Sequence, residues 1–103
     1  MDKDERTQLI RTGNTYFNEG NIEEAKKCFI KAKYQDGLRR IGDYFYYDQK
    51  KPLIAINYYR AIGDTSKVNE IYERMGHALN QMLKSDKIVG ENKDENDKNQ
   101  TIE

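Results

Sequence analysis

Residues 9–32 read LIRTGNTYFNEGNIEEAKKCFIKA, and this stretch decides the fold. Leu9, Gly13, Tyr16 and Phe17 recur at steps that keep them on one side of a helix. Ala25, Cys28, Phe29 and Ala32 form a 3-1-3 stripe, the mark of a second amphipathic helix. Between them stands Glu19-Gly20-Asn21. Gly20 suits the left-handed position that ends a helix, and Asn21 suits the N-cap of the next, with Glu24 three residues on. The expectation is a helical hairpin in which small Gly13 and Ala25 allow close approach. Tyr16 and Phe29 would fill the space between the two helices.

The same grammar extends both ways. Upstream, Asp2 and Glu5 have capping-box spacing and predict where the first helix begins. Downstream, Asp36 is expected to cap a third helix carrying Leu38, Ile41, Gly42 and Phe45. Residues 48–51 read as a turn. Pro52 suits the first position of a fourth helix bearing Leu53, Ile56, Tyr59 and Ile62 and ending at Gly63. Asp64-Thr65-Ser66 offers caps for a fifth helix with the longest stripe: Val68, Ile71, Tyr72, Met75, Leu79, Met82 and Leu83. The chain is therefore expected to be all-α, an antiparallel array in a single domain over 1–84. Residues 85–103 are expected to be a disordered acidic tail; 91–103 hold five acids and two bases.

The motif Leu9-x-x-Thr12-Gly13-x-x-Tyr16, then Gly20, then Ala25-x-x-x-Phe29-x-x-Ala32, resembles one tetratricopeptide repeat (TPR). Leu38-x-x-Ile41-Gly42-x-x-Phe45 resembles the start of a second. Its partner helix fits in either of two frames: Ile54, Tyr58 and Ala61, or Ala55, Tyr59 and Ile62 after one extra residue. Gly13 and Gly42 are 29 residues apart, against about 34 in this repeat class, so the connection is short. Leu9, Thr12 and Gly37 depart from the usual Trp, Leu and Pro. The resemblance implies an α-solenoid of two repeats closed by the fifth helix over the apolar edge of the second repeat.

With 103 residues there is room for one domain and no interdomain cleft. Abundant Lys, Ile, Asn and Tyr point to an AT-rich, bacterial coding sequence. There is no membrane-span candidate and no apolar leader segment, and a single Cys fits a reducing compartment, so a cytoplasmic protein is expected. No Gly-rich phosphate loop and no Cys pair for zinc occur. His77 with Glu73 offers two metal ligands, too few for a structural site. Cys28 falls on the apolar stripe and reads as a buried structural residue. No catalytic constellation stands out, so no enzymatic activity, cofactor or metal is expected.

Segment 26–60 carries nine bases against three acids, with Tyr44-Phe45-Tyr46-Tyr47 and Tyr58-Tyr59 inside it. Bases interleaved with aromatics can stack on single-stranded nucleic acid. A net charge of zero and the absence of an RNA motif make that reading the weaker one. The TPR resemblance implies a protein–protein interaction module that holds a partner's peptide or helix in a concave face built by the first helix of each repeat. Carried over, that face comprises Thr7, Ile10, Arg11, Asn14, Phe17 and Asn18, then Arg39, Arg40, Asp43, Tyr46 and Tyr47. Asn14 and Arg40 stand where co-chaperone members of the family hold a carboxylate, whereas Ile10 replaces an expected Lys. The competing expectation is a structural subunit of a larger assembly, with homo-oligomerisation as its sign.

Overall fold

The computed structural model describes residues 1–86, and every described element is helical. Helix α1 spans Lys3–Asn18, α2 Ile22–Ala32, α3 Gln35–Asp43, α4 Pro52–Ala61 and α5 Thr65–Asp86; a π-helical turn, Tyr44–Asp48, extends α3. By packing, the chain divides into a unit Met1–Val68 and a second unit that begins at Asn69. No described helix is long and apolar enough to cross a membrane. The expected tail begins two residues inside α5; the expectations for 87–103 fall outside the described residues.

Local chemistry sets most of the boundaries. Asp2 and Glu5 form the full capping box: the Glu5 N–H donates to Asp2 Oδ1 at 2.8 Å and the Asp2 N–H to Glu5 Oε1 at 3.2 Å. Helix α1 ends in a Schellman motif, with Gly20 at φ +85°, its N–H on Phe17 O, and Asn21 N–H on Tyr16 O. Asn21 then accepts from Glu24 N–H to start α2. Helix α4 ends in the same way at Gly63, φ +75°, with Asp64 N–H on Tyr59 O. Helix α2 closes with this geometry as well, but with Lys33 in the left-handed region at φ +52°. The chain re-enters a helix almost at once, so the N-cap of α3 is Tyr34 and not Asp36. Asp36 instead lies in the first turn, where its charge favours the helix dipole.

The core of the first unit is built around Phe29, which is fully buried with Ala25 and Ile41. A Cβ at Gly13 would lie 2.5 Å from Phe29 Cε1, and one at Gly37 would lie 2.5 Å from Phe29 Cγ. The ring is thus held between the backbones of α1 and α3. Leu38 completes the buried cluster, and Tyr16, Phe17, Ile22, Tyr34 and Phe45 pack around it. Cys28 is only half-buried, correcting the expectation of a buried thiol; it packs beside Gly13 at the edge of the hairpin. Arg6 reaches across from α1 and donates to Ala32 O at 2.9 Å, satisfying a carbonyl at the end of α2.

The second helical pair, α3 with α4, also sets a glycine against an aromatic ring. A Cβ at Gly42 would come within 3.2 Å of Tyr59, as Gly13 does with Phe29. Ala55, Ile56 and Tyr59 are buried and Ile62 is half-buried, whereas Ile54 and Ala61 are exposed, so the frame of Ala55, Tyr59 and Ile62 is the one adopted. That frame contains one residue more than the first pair. The π turn, closed by Gln49 N–H on Tyr44 O, takes more residues per turn and absorbs it. Leu53, placed on the inward stripe by its spacing, is 64% exposed. In α5, Val68 and Ile71 are buried, but Tyr72, Leu79, Met82 and Leu83 are exposed, against the expectation that the whole stripe is covered.

Opposite stability effects are expected at two neighbouring positions. Gly37→Ala gains up to about 1 kcal/mol of helix propensity. It also forces a methyl group into a ring already backed by Gly13, an overpacking cost of about 1–3 kcal/mol, so the net change destabilises. Lys33→Gly relieves a left-handed side-chain residue and should stabilise by about 1 kcal/mol. Urea unfolding followed by circular dichroism measures both.

Candidate functional site

The residues proposed for the face fall into two connected clusters in the first unit. The first joins α1 to α3. Arg40 Nη1 donates to Asn14 Oδ1 at 2.6 Å, and its guanidinium lies 4.7 Å from the centre of the Phe17 ring. Phe17 meets Tyr44 edge-on at 6.2 Å. Arg40 is exposed while Asn14 and Phe17 are half-buried, so the charged group is fixed in place yet remains open to solvent. Arg11, Asn14 and Asn18 follow one another along α1 at helical spacing, with Arg11 and Asn18 exposed.

The second cluster surrounds the start of α5. Arg39 points away from Arg40, as adjacent helical residues do, and pairs with Asp64 at 2.6 Å. Asp64 also accepts from Lys67 N–H at 3.0 Å and so acts as the cap of α5. The Lys67 ammonium sits 4.9 Å from the ring centres of both Tyr46 and Tyr47 and donates to Tyr47 Oη at 2.5 Å. Asp43 accepts from the buried Tyr59 hydroxyl at 2.5 Å. Arg39, Asp43, Tyr46 and Tyr47 therefore each have an internal partner. The sequence reading missed Asp64 and Lys67: both are remote from the repeat motif, and only the cap-forming Asp64-Thr65-Ser66 run gave a sign of the first.

Within this unit a cavity of about 450 Å³ opens between α2 and α4. Leu38, Phe45 and Tyr58 line it with Ile30 and Ile54, and Lys26 stands at its edge, paired with Glu23 at 3.0 Å. Among the described residues no group of three or more His, Cys, Asp or Glu side chains comes together to hold a metal. His77 is exposed on α5.

No protein-family model matches the chain, and no solved structure matches it. An uncharacterized protein of Treponema pallidum (strain Nichols) is similar to it, 41% identical over 67 residues. The match covers 65% of this chain and 64% of that protein, so the chain spans under two thirds of the relative's length.

The second cluster predicts a distinctive pH dependence. The bond from Arg39, then the Lys67 N–H, holds the Asp64 carboxyl below its usual range. Its contribution is complete above the unfolded value of about 4 and is lost as pH falls toward the folded value. Burial, then the bond to Asp43, pushes the Tyr59 phenol up. That contribution is complete below about pH 10 and is lost as pH rises beyond it. Asp64→Asn should flatten the acid limb of a stability profile. Tyr59→Phe should flatten the alkaline limb and cost about 1–3 kcal/mol at neutral pH. Denaturation midpoints between about pH 3 and pH 11 give both limbs.

Proposed function

We propose that this chain is a small tetratricopeptide-like protein, a non-catalytic interaction module whose α1 and α3 hold an extended peptide or a helix of a partner protein. The observation that carries this reading is Arg40: it is exposed, bonded to Asn14 and stacked on Phe17 across two helices. A guanidinium fixed in this way offers its remaining donors to a partner's carboxylate with little side-chain entropy left to lose. Asn18 and Arg11 extend the polar row along α1, and Asn18 can both donate to and accept from a peptide backbone. Support for the repeat comes from the paired packing of Gly13 on Phe29 and Gly42 on Tyr59. An adaptor or assembly role in the cytoplasm follows from this reading.

The competing face is the cavity between α2 and α4, and one pair of variants separates the two. The partner is first captured on the full chain from the source cell and identified by mass spectrometry. Asn14→Ala with Arg40→Ala should then weaken binding by about 30-fold, or roughly 2 kcal/mol, without loss of helicity. Lys26→Ala with Lys27→Ala should leave it unchanged. Damage from the Lys26 and Lys27 pair alone would move the binding face to the α2–α4 side and overturn the proposal.

A further inference from the structure

Three tyrosine rings surround the Lys67 ammonium. Its Nζ lies 4.9 Å from the ring centres of Tyr46 and Tyr47 and 5.8 Å from that of Tyr59. The Tyr46 and Tyr47 rings stand 4.8 Å apart at an angle of 72°, so they form two walls of a corner. Tyr59 closes the inner side; it is fully buried, and its hydroxyl donates to Asp43. A phenol that donates to a carboxylate has a more electron-rich ring face, which strengthens its pull on a cation. Tyr47, the outer wall, is 50% exposed, so the corner opens to solvent there. All of these groups lie in the unit Met1–Val68.

We propose that this corner binds the trimethylated ammonium group of a methylated lysine on another protein, and that Lys67 occupies it in the free chain. Aromatic rings within about 6 Å on several sides of one ammonium are the arrangement that recognises quaternary ammonium groups. The side chain already in the corner is a lysine, so the site accepts the charge and stem of this ligand. An unmethylated ammonium attracts water strongly, whereas a trimethylated one has no N–H to hydrate and loses less on entering the rings. Exchange therefore favours the methylated group against the rings and the half-buried Lys67 ammonium in water. The hydrogen bond from Lys67 to Tyr47 is given up, and water replaces it at the exposed phenol. Arg39 does not repel the incoming cation unopposed, because Asp64 pairs with it at 2.6 Å. None of the groups around Arg40 takes part, so this site stands without that one.

Titration of the full chain with Nα-acetyl trimethyllysine amide, followed by tyrosine ring resonances in NMR spectra, tests this. Saturable shifts at Tyr46 and Tyr47 are expected, at millimolar affinity because Lys67 competes for the rings. Lys67→Ala puts a strong helix former in α5 and keeps the Asp64 cap, which rests on a backbone N–H. It should bind the probe about tenfold more tightly, the gain expected if Lys67 leaves the corner open about a tenth of the time. Tyr47→Leu in that background should abolish binding with helicity unchanged. Equal binding of tert-butanol, which has the shape of the group without its charge, would reduce the corner to an apolar pocket and overturn the cation site. Choline binding as tightly as the lysine derivative would overturn a protein lysine as the source. If Lys67→Ala folds but binds no more tightly than the unaltered chain, Lys67 is only a structural tie and the proposal fails. Should that variant lose helicity, the unaltered chain decides: no saturable shift at Tyr46 and Tyr47 overturns the proposal.

Discussion

The Phe29 ring, pressed between the backbones of α1 and α3 at Gly13 and Gly37, is the constraint on which the rest of the first unit depends. Contact between a ring and backbone leaves no flexible side chain to give way, so the distance between these helices is fixed by the thickness of one aromatic ring. Ala25, Leu38 and Ile41 then complete a small core that a chain with 35% charged residues can still afford. The second pair uses Tyr59 in the equivalent place, and the extra hydroxyl changes the chemistry. A buried phenol needs an acceptor, and Asp43 supplies it. The core therefore reaches the surface through Asp43, whose carboxylate is engaged by the Tyr59 hydroxyl.

Fixing α1 against α3 in this way also fixes Arg40. Its guanidinium must span from α3 to Asn14 on α1, and Phe17 lies beneath it because the two helices are held at ring distance. Arg39, one residue earlier, is turned about 100° around the helix and reaches Asp64 instead. Two adjacent arginines that look alike in sequence thus do different work. One closes the joint between α3 and the start of α5, and the other stays open to solvent.

What the sequence made legible was local. The capping box at Asp2, the Schellman glycine at Gly20, the Asn21 cap, Pro52 at the start of α4 and Gly63 at its end each act through residues within a turn of one another. The start of α3 was not legible, because Lys33 adopts a left-handed conformation that its residue type does not announce. The π turn left one trace: Gly13 precedes Ala25 by 12 residues, whereas Gly42 precedes Ala55 by 13. That offset was visible as two possible frames, and only the hydrogen-bond register chooses between them. In the candidate site, Arg40 and Asn14 were expected on one face, and a hydrogen bond joins them across α1 and α3. The clamp of Tyr46 and Tyr47 on Lys67 was not expected, since it joins residues 20 and 21 positions apart with no shared motif.

Helix α5 shows the limit of periodicity as a signal. Its apolar stripe runs without a break from Val68 to Leu83, yet Ile71 is buried and Met82 is largely exposed. A regular stripe states that a face avoids water; it does not state what covers it. The two surfaces of this protein then differ in kind. Arg40 with Asn14 would act through charge and directed hydrogen bonds, which weaken as salt screens them over about 8 Å at physiological ionic strength. The Leu79–Met82 face would act through apolar burial, which salt does not screen and excluded salts strengthen. Binding at the first face would weaken in such salts and binding at the second would strengthen, so opposite salt responses would separate the two in the same sample.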